Sequence, residues 1–206
     1  MAARRNAENF RQSILEAASK LIAERGYHAV RVADIAEACG TSTGSVHYYF
    51  AAKEDVLTEA LKYYVQRAFE RQSAQLREID DARERLLHLF EMQLPRSADV
   101  RHEWSTWLQY WAEALLRPEL RAAHDEVYAR WRDTIVRIVE RGRRQGVFRD
   151  VDPAVVARHL TALTDGAAIQ TLLGVDGMDV EQMRALLVAY VDEHLVEPVR
   201  DEGAVR

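Results

Sequence analysis

Apolar and polar positions follow helical spacing along almost the whole chain. Between residues 10 and 22 the apolar side chains recur at intervals that place them on one face of a helix. No segment shows the alternation of apolar and polar residues, rich in β-branched side chains, that predicts a strand. Glycine and proline, which interrupt helices, number only 9 and 4 among 206 residues. The pattern therefore predicts an all-α fold.

Interruptions in the pattern divide it into separate helices. Gly26 and Gly40 each follow a helical run and are typical helix ends, and the hydroxyl-rich segment 41–43 is a typical helix start. Pro95, Pro118, Pro153 and the region of Gly146 mark the later boundaries. Apart from a short helix after segment 41–43, the predicted helices span about 7–25, 32–39, 53–78, 82–94, 101–116, 119–144, 154–173 and 179–196.

Composition limits the class of protein. The chain is 48% hydrophobic and 30% charged, which is typical of a globular protein and excludes disordered and fibrous classes. No apolar run approaches the roughly 20 residues that cross a bilayer, and the first ten residues lack the core of a signal peptide. We therefore expect a cytoplasmic protein without a membrane partner. The single cysteine, Cys39, permits no intrachain disulfide and is interpreted as a small buried apolar residue.

Charge is distributed unevenly along the chain. The formal net charge is −5, yet residues 1–53 carry seven basic and five acidic groups. The remainder of the chain is therefore strongly acidic. This asymmetry suits a protein whose N-terminal part meets the phosphates of a nucleic acid.

The segment around residues 36–50 has the features of a helix-turn-helix motif. Such a motif needs a small residue where the helices cross, a turn former, and apolar anchors, which here are Ala36, Gly40, Val46 and Phe50. At 100° per residue, the anchors on the third helix point inward. The outward face then carries small and hydrogen-bonding side chains, as a helix in a major groove requires. This face consists of Gly44, Ser45 and Tyr48, and His47 lies on its flank.

The stretch VADIAEACGTSTGSVHYYFAAKEDVL, residues 32–57, resembles the DNA-binding signature of the TetR family of transcriptional regulators. The resemblance includes the I-A helix, the glycine turn, the S-x-G start, the Y-x-F end and the K-E-x-x-L entry to the fourth helix. It implies about nine helices in two domains. Residues 1–52 would form a three-helix DNA-binding domain, and residues 53–206 a ligand-binding and dimerisation domain.

The resemblance also implies roles for individual residues. It assigns base or groove contacts to Thr43, Gly44, Ser45 and Tyr48, phosphate contacts to Ser42, Tyr49 and Lys53, and a groove-edge contact near Arg31. Two positions depart from the family pattern. His47 stands where many members have a phosphate-binding tyrosine, so this contact is weaker or pH-dependent in our interpretation. Arg31 replaces a threonine that often caps the second helix, so we expect that cap to be missing and the arginine to bind phosphate.

Three of the four tryptophans lie within eight residues, at the spacing of one helix face. These are Trp104, Trp107 and Trp111, and the same predicted stripe includes Leu108, Ala112 and Leu115. Tyr128 and Trp131 lie one turn apart on the next helix, where they can face the stripe. Two interpretations stay open, a packed core and an aromatic pocket for a small-molecule effector.

Asp165 is the polar candidate near these aromatic residues. It lies on an otherwise apolar helix, and a buried carboxylate needs a partner. That partner is either a structural one, such as Arg158, or a ligand. If Asp165 faces the aromatic residues, a cationic or amine effector is favoured over a purely apolar one, by charge and by cation–π attraction.

The last two predicted helices, over about 154–173 and 179–196, are apolar on more surface than one neighbour can cover. Their resemblance to the family's dimerisation helices implies a homodimer, which would read a palindromic operator in double-stranded DNA. The W-x2-W-x3-W pattern and the pair Asp165-Gly166 resemble the branch that includes the choline-responsive repressors. The chain is thus interpreted as a ligand-released repressor.

The sequence also bears on two other classes of function. An enzyme is disfavoured because the seven histidines show no metal-ligand spacing and no serine lies in a nucleophile elbow. We therefore expect no metal, no cofactor and no catalytic residue. An activator or a DNA-binding adaptor without a ligand is the remaining alternative.

Overall fold

The computed structural model describes the backbone of residues 2–196, and the side chains of that range except residues 2–6, 65, 68 and 72–74. Within this part of the chain the structure is all-α, as predicted, apart from an isolated antiparallel bridge between Phe148 and Val196. The described helices are α1 (Ala2–Arg25), α2 (Val32–Ala38), α3 (Thr43–Tyr49), α4 (Lys53–Gln75), α5 (Ala82–Glu91), α6 (Ala98–Ala114), α7 (Pro118–Gln145), α8 (Pro153–Leu173) and α9 (Val180–His194).

Most helix boundaries lie within three residues of those predicted. α1 begins at Ala2 rather than near residue 7, because residues 2–9 are good helix formers that carry no apolar periodicity. α6 begins at Ala98 rather than 101, because the Ser97 hydroxyl accepts a hydrogen bond from the Val100 backbone N–H, 3.2 Å away. The polar N-cap residue Ser97 therefore marks the start of α6 better than the apolar pattern does.

Contacts divide the chain into two compact units. The first unit comprises residues 1–71 and 97–128, and thus contains α1–α3, most of α4, α6 and the start of α7. Its apolar core joins α1, the α2–α3 motif and α4 to residues of α6 and α7. The fully buried members of this core include Ile14, Ile22, Ile35, Leu57, Leu61, Tyr110 and Leu120.

The second unit comprises residues 72–96 and 129–206. In it α9 packs against both α8 and α5. Its buried side chains include Leu86, Leu89, Ile135, Leu160, Met183, Leu187 and Val191. At the surface the guanidinium of Arg83 on α5 donates two hydrogen bonds, of 2.8 and 3.0 Å, to the carboxylate of Asp192 on α9. This bidentate geometry fixes the register of α5 along α9.

A close approach at the end of α7 requires glycine at position 142. A Cβ atom built on Gly142 would lie 2.0 Å from Cδ2 of the buried Phe148 ring. We expect Gly142→Ala to lower the free energy of unfolding by about 1–3 kcal/mol, because the ring must shift within a packed core. Urea denaturation followed by circular dichroism measures this effect.

The control for this prediction is the same substitution beside a smaller side chain. In a Phe148→Ala background the added methyl group has room, so Gly142→Ala should cost little there. An equal cost in both backgrounds would contradict the steric explanation.

Candidate functional site

The turn between α2 and α3 is set by one glycine and one serine. Gly40 has a φ of +62°, a left-handed conformation that side chains disfavour, and the Thr41 N–H returns to the Ala36 carbonyl at 2.9 Å. The Ser42 hydroxyl then accepts a hydrogen bond from the Ser45 N–H at 3.1 Å and caps α3. The sequence expectation of a glycine stop and a hydroxyl cap is confirmed.

The side chains of α3 divide into a buried and an exposed face. Val46 and Phe50 are 1% and 4% exposed and anchor the helix in the core of the first unit. Thr43, Gly44 and His47 are exposed, Ser45 is half-buried, and Tyr48 is 83% exposed. No acidic residue lies on α3. The helix itself therefore brings no negative charge toward the phosphates of a nucleic acid.

Tyr49 and Lys53 are less free than the sequence pattern suggests. The half-buried Tyr49 ring lies 5.6 Å from the Phe10 ring and 5.1 Å from the Tyr48 ring, measured between centroids. The Lys53 ammonium donates a hydrogen bond to the backbone carbonyl of His28 at 3.0 Å. Both residues border the exposed face of α3, and each has a partner within the protein.

Arg31 precedes α2 with its side chain exposed and makes no side-chain cap. The missing cap that we expected is thus observed. The carboxylate of Asp34 compensates by accepting a hydrogen bond from the Arg31 backbone N–H at 2.8 Å. Asp34 is held in turn by an ion pair of 3.2 Å with Arg25.

Six aromatic side chains of α6 and α7 form one cluster in the first unit. We call it the aromatic cluster; it consists of Trp104, Trp107, Tyr110, Trp111, His124 and Tyr128. Trp107 lies at its centre, with its ring centroid 5.7 Å from Tyr128, 5.9 Å from Trp111 and 5.9 Å from Tyr110. His124 stacks on Tyr128 at 4.1 Å. Such rings present faces of negative potential to any cation that reaches them.

The predicted stripe on α6 is correct at its centre and wrong at its end. Trp104 is buried, whereas Trp107, Leu108 and Trp111 are half-buried. Ala112 is exposed and Leu115 is 75% exposed, because α6 ends at Ala114 and Leu115 lies beyond the packed face as its C-cap. The stripe also missed Tyr110 and His124, since neither lies on the line of tryptophans.

Trp131 and Asp165 belong to the second unit. Trp131 is half-buried on α7, and Asp165 is half-buried on α8. Arg158, the structural partner considered for Asp165, is exposed.

Two buried carboxylates on α6 were not found from the sequence. Glu113 is 4% exposed; its carboxylate lies 3.0 Å from Nε2 of His28 and forms an ion pair of 3.0 Å with Arg117. Glu103 is 7% exposed and forms an ion pair with Arg71 of α4. An apolar pattern cannot reveal such residues, because they are themselves charged and two of their partners, His28 and Arg71, lie far away in the sequence.

The outward surface of α8 and α9 is rich in apolar and small residues. Leu173 is 72% exposed, Leu186 is 37% exposed, and Ala162, Ala185 and Ala189 are also exposed. The inner side of the same stripe on α9 is buried within the second unit, at Met183, Leu187, Val191 and Leu195. Among the residues that the structure describes, no helix combines the length and the apolar character that a membrane span requires.

Comparison with known proteins identifies a family for the N-terminal and for the C-terminal part of the chain. Residues 14–60 match the model of the tetR family of bacterial regulatory proteins, and residues 82–196 match that of the C-terminal domain of BetI-type transcriptional repressors. The transcriptional regulator PksA of Bacillus subtilis is 25% identical over 94% of each chain. BetI 1 of Chromohalobacter salexigens is 28% identical over 90% of each.

A solved structure is more similar. A transcriptional regulator from Saccharomonospora viridis, crystallised in complex with choline, is 47% identical, with a TM-score of 0.86 over 92% of this chain and 99% of that one. The second family match alone spans more than half of the chain. The chain therefore belongs to the TetR family, as a DNA-binding transcriptional regulator with the C-terminal domain of a BetI-type repressor, and is not an enzyme.

Proposed function

We propose that this protein is a repressor that binds a palindromic operator and is released from it by choline or a similar quaternary ammonium compound. The observation that carries the effector half is the choline complex of the 47% identical regulator. In this proposal residues 1–52 bind DNA, and residues 53–206 bind the effector and form the dimer.

The operator-binding surface is the exposed face of α3 with its borders. We assign base or groove contacts to Tyr48, which is exposed, and to the small residues at the start of the helix, where backbone can approach the bases. Phosphate contacts come from the residues around this face. The full set is Arg31, Ser42, Thr43, Gly44, Ser45, His47, Tyr48, Tyr49 and Lys53.

Dimerisation through α8 and α9 is supported by their exposed apolar surface. Leu173 and Leu186 lie among exposed alanines there, and burying such surface against an identical copy is favourable. Two α3 helices related by a two-fold axis must read two inverted half-sites, so the operator is palindromic.

Gel shift with DNA selected from random sequence tests the operator half. Tyr48→Ala and Lys53→Ala should each weaken binding by about tenfold, since one removes a base contact and the other a phosphate contact. Lys20→Ala removes the same charge from an exposed position on α1 and should leave affinity unchanged. A half-site should bind far more weakly than the palindrome. Equal affinity for both would contradict dimeric recognition.

The effector is placed on the aromatic cluster. A quaternary ammonium ion cannot donate hydrogen bonds, and aromatic faces stabilise it through their quadrupole. We assign contacts in the first unit to Trp104, Trp107, Leu108, Trp111 and Tyr128. Trp131 and Asp165, in the second unit, stay candidates on the sequence pattern alone.

Release of operator DNA by choline tests the effector half. We expect choline to dissociate the complex, and Trp107→Leu to raise the required choline concentration by about tenfold while leaving DNA affinity unchanged. The matched ligand control is 3,3-dimethylbutan-1-ol, which has the shape of choline without its charge and should be ineffective. If choline releases wild type and Trp107→Leu equally, the aromatic assignment is wrong.

A further inference from the structure

A buried acid lies beside the aromatic cluster on the same face of α6. Glu103 directly precedes Trp104, and one helical turn separates it from Trp107. Its side chain is 9% exposed and pairs with the guanidinium of Arg71 on α4. Glu103 therefore brings a negative charge to the edge of a group of rings that presents aromatic faces.

The pair is asymmetric in its exposure to solvent. The Arg71 side chain is 54% exposed, whereas the Glu103 side chain is nearly covered. A long arginine can leave its partner and direct its guanidinium into water at small cost. A buried carboxylate cannot, and it needs a cation in place of the one that leaves. Another cation can therefore exchange with Arg71 at Glu103.

Two other polar groups lie near the arginine. Burial raises the pKa of the half-buried Tyr64 phenol; the Arg71 charge opposes this shift, and the Asp99 charge adds to it. Tyr64 is therefore neutral at physiological pH, and Asp99 is exposed to water. Among these groups Glu103 alone is an acid that is buried and lies on the face of the aromatic cluster.

We propose that Glu103 is the residue that selects a cationic effector, and that the effector's ammonium group displaces Arg71 from it. The inference rests on the proposed function. It assigns to Glu103 the role of the acid that binds the effector's cation, for which the sequence pattern indicated Asp165. Glu103 meets the requirement better, since it is more deeply buried and shares a helix with three tryptophans of the aromatic cluster.

The exchange also links effector binding to α4. This helix begins at Lys53, four residues after the end of α3. The Arg71–Glu103 ion pair connects the distal part of α4 to α6, and effector binding breaks this ion pair. A state of the protein that keeps the pair closed binds the effector more weakly, and by reciprocity the effector disfavours that state.

Calorimetric titration of choline and 3,3-dimethylbutan-1-ol tests the inference on the full-length protein. Wild type should prefer choline by about tenfold or more, and Glu103→Gln should lose most of that preference through weaker choline binding. Glu103→Asp keeps the charge and should retain part of it. Arg71→Met removes the competing cation and should bind choline several-fold more tightly. Glu119→Gln neutralises an exposed acid on α7 and is the control for net charge.

The outcomes separate this inference from the function on which it rests. If wild type binds neither compound, the proposed effector class is wrong, and this inference fails with it. If wild type prefers choline and Glu103→Gln keeps that preference, the effector class stands and Glu103 is not its selector. Unchanged choline affinity in Arg71→Met contradicts the exchange even if Glu103→Gln fails to fold.

Discussion

Val46→Asp is expected to unfold the DNA-binding part of the first unit, whereas His47→Asp leaves it folded. Val46 is 1% exposed in the core of that unit, so a carboxylate there would have no partner and no water. Such a burial costs about 4 kcal/mol or more. The adjacent His47 is exposed, and the same charge at that position should change stability by about 0.5 kcal/mol or less.

Urea denaturation and gel shift together distinguish the two variants. Both should lose operator binding, Val46→Asp because α3 has no folded support, and His47→Asp because its charge repels phosphate. His47→Asp alone should retain the wild-type denaturation midpoint. Equal stability of the two variants would show that the inward and outward faces of α3 are wrongly assigned.

Tyr110→Ala is the second substitution for which we expect a large effect. The Tyr110 side chain is 1% exposed, its ring lies 5.9 Å from Trp107, and its hydroxyl donates to the Leu120 carbonyl at 2.7 Å. Removing the ring should lower the free energy of unfolding by about 3–5 kcal/mol. Removing only the hydroxyl, in Tyr110→Phe, should cost about 1–3 kcal/mol because the buried carbonyl loses its donor.

Alkaline pH provides an independent measurement on the same side chain. Burial raises the pKa of Tyr110, and the charges of Asp125 and Glu126 add to this shift. The folded state therefore holds the phenol proton more tightly than the unfolded state does. The stability that depends on this protonated phenol is fully present below the ordinary tyrosine pKa of about 10, and it is lost as pH rises above that value. Tyr110→Phe should remove this part of the alkaline destabilisation. An identical pH dependence in both proteins would contradict the assignment.

The helix-turn-helix was the part of the fold that the sequence predicted best. Gly40, Ser42, Val46 and Phe50 each act through local geometry: a left-handed turn, an N-cap and two anchors on one helical face. Local rules suffice where a residue's role depends on neighbours a few positions away. The same reason explains why the glycine and proline positions divided the chain into the correct helices.

The aromatic cluster was predicted less completely, because its arrangement depends on contacts between distant segments. Helical spacing brought Trp107 and Trp111 together but extended the stripe to Leu115, which lies in solvent. Helical spacing also indicated Asp165 as the acidic residue near the aromatic side chains. Glu103 was missed because its ion-pair partner, Arg71, lies 32 positions away in the sequence. Periodicity shows which residues share a face and does not show what covers that face.

If Lys53 binds phosphate as we propose, its hydrogen bond to the His28 carbonyl affects how operator binding responds to salt. When Lys53 moves to a phosphate it exchanges one hydrogen bond for another, so its net contribution to affinity at a fixed salt concentration is reduced. The counterions that it displaces from DNA are released all the same. The slope of operator affinity against ionic strength therefore includes the whole contribution of Lys53. The affinity at a single salt concentration includes only part of it.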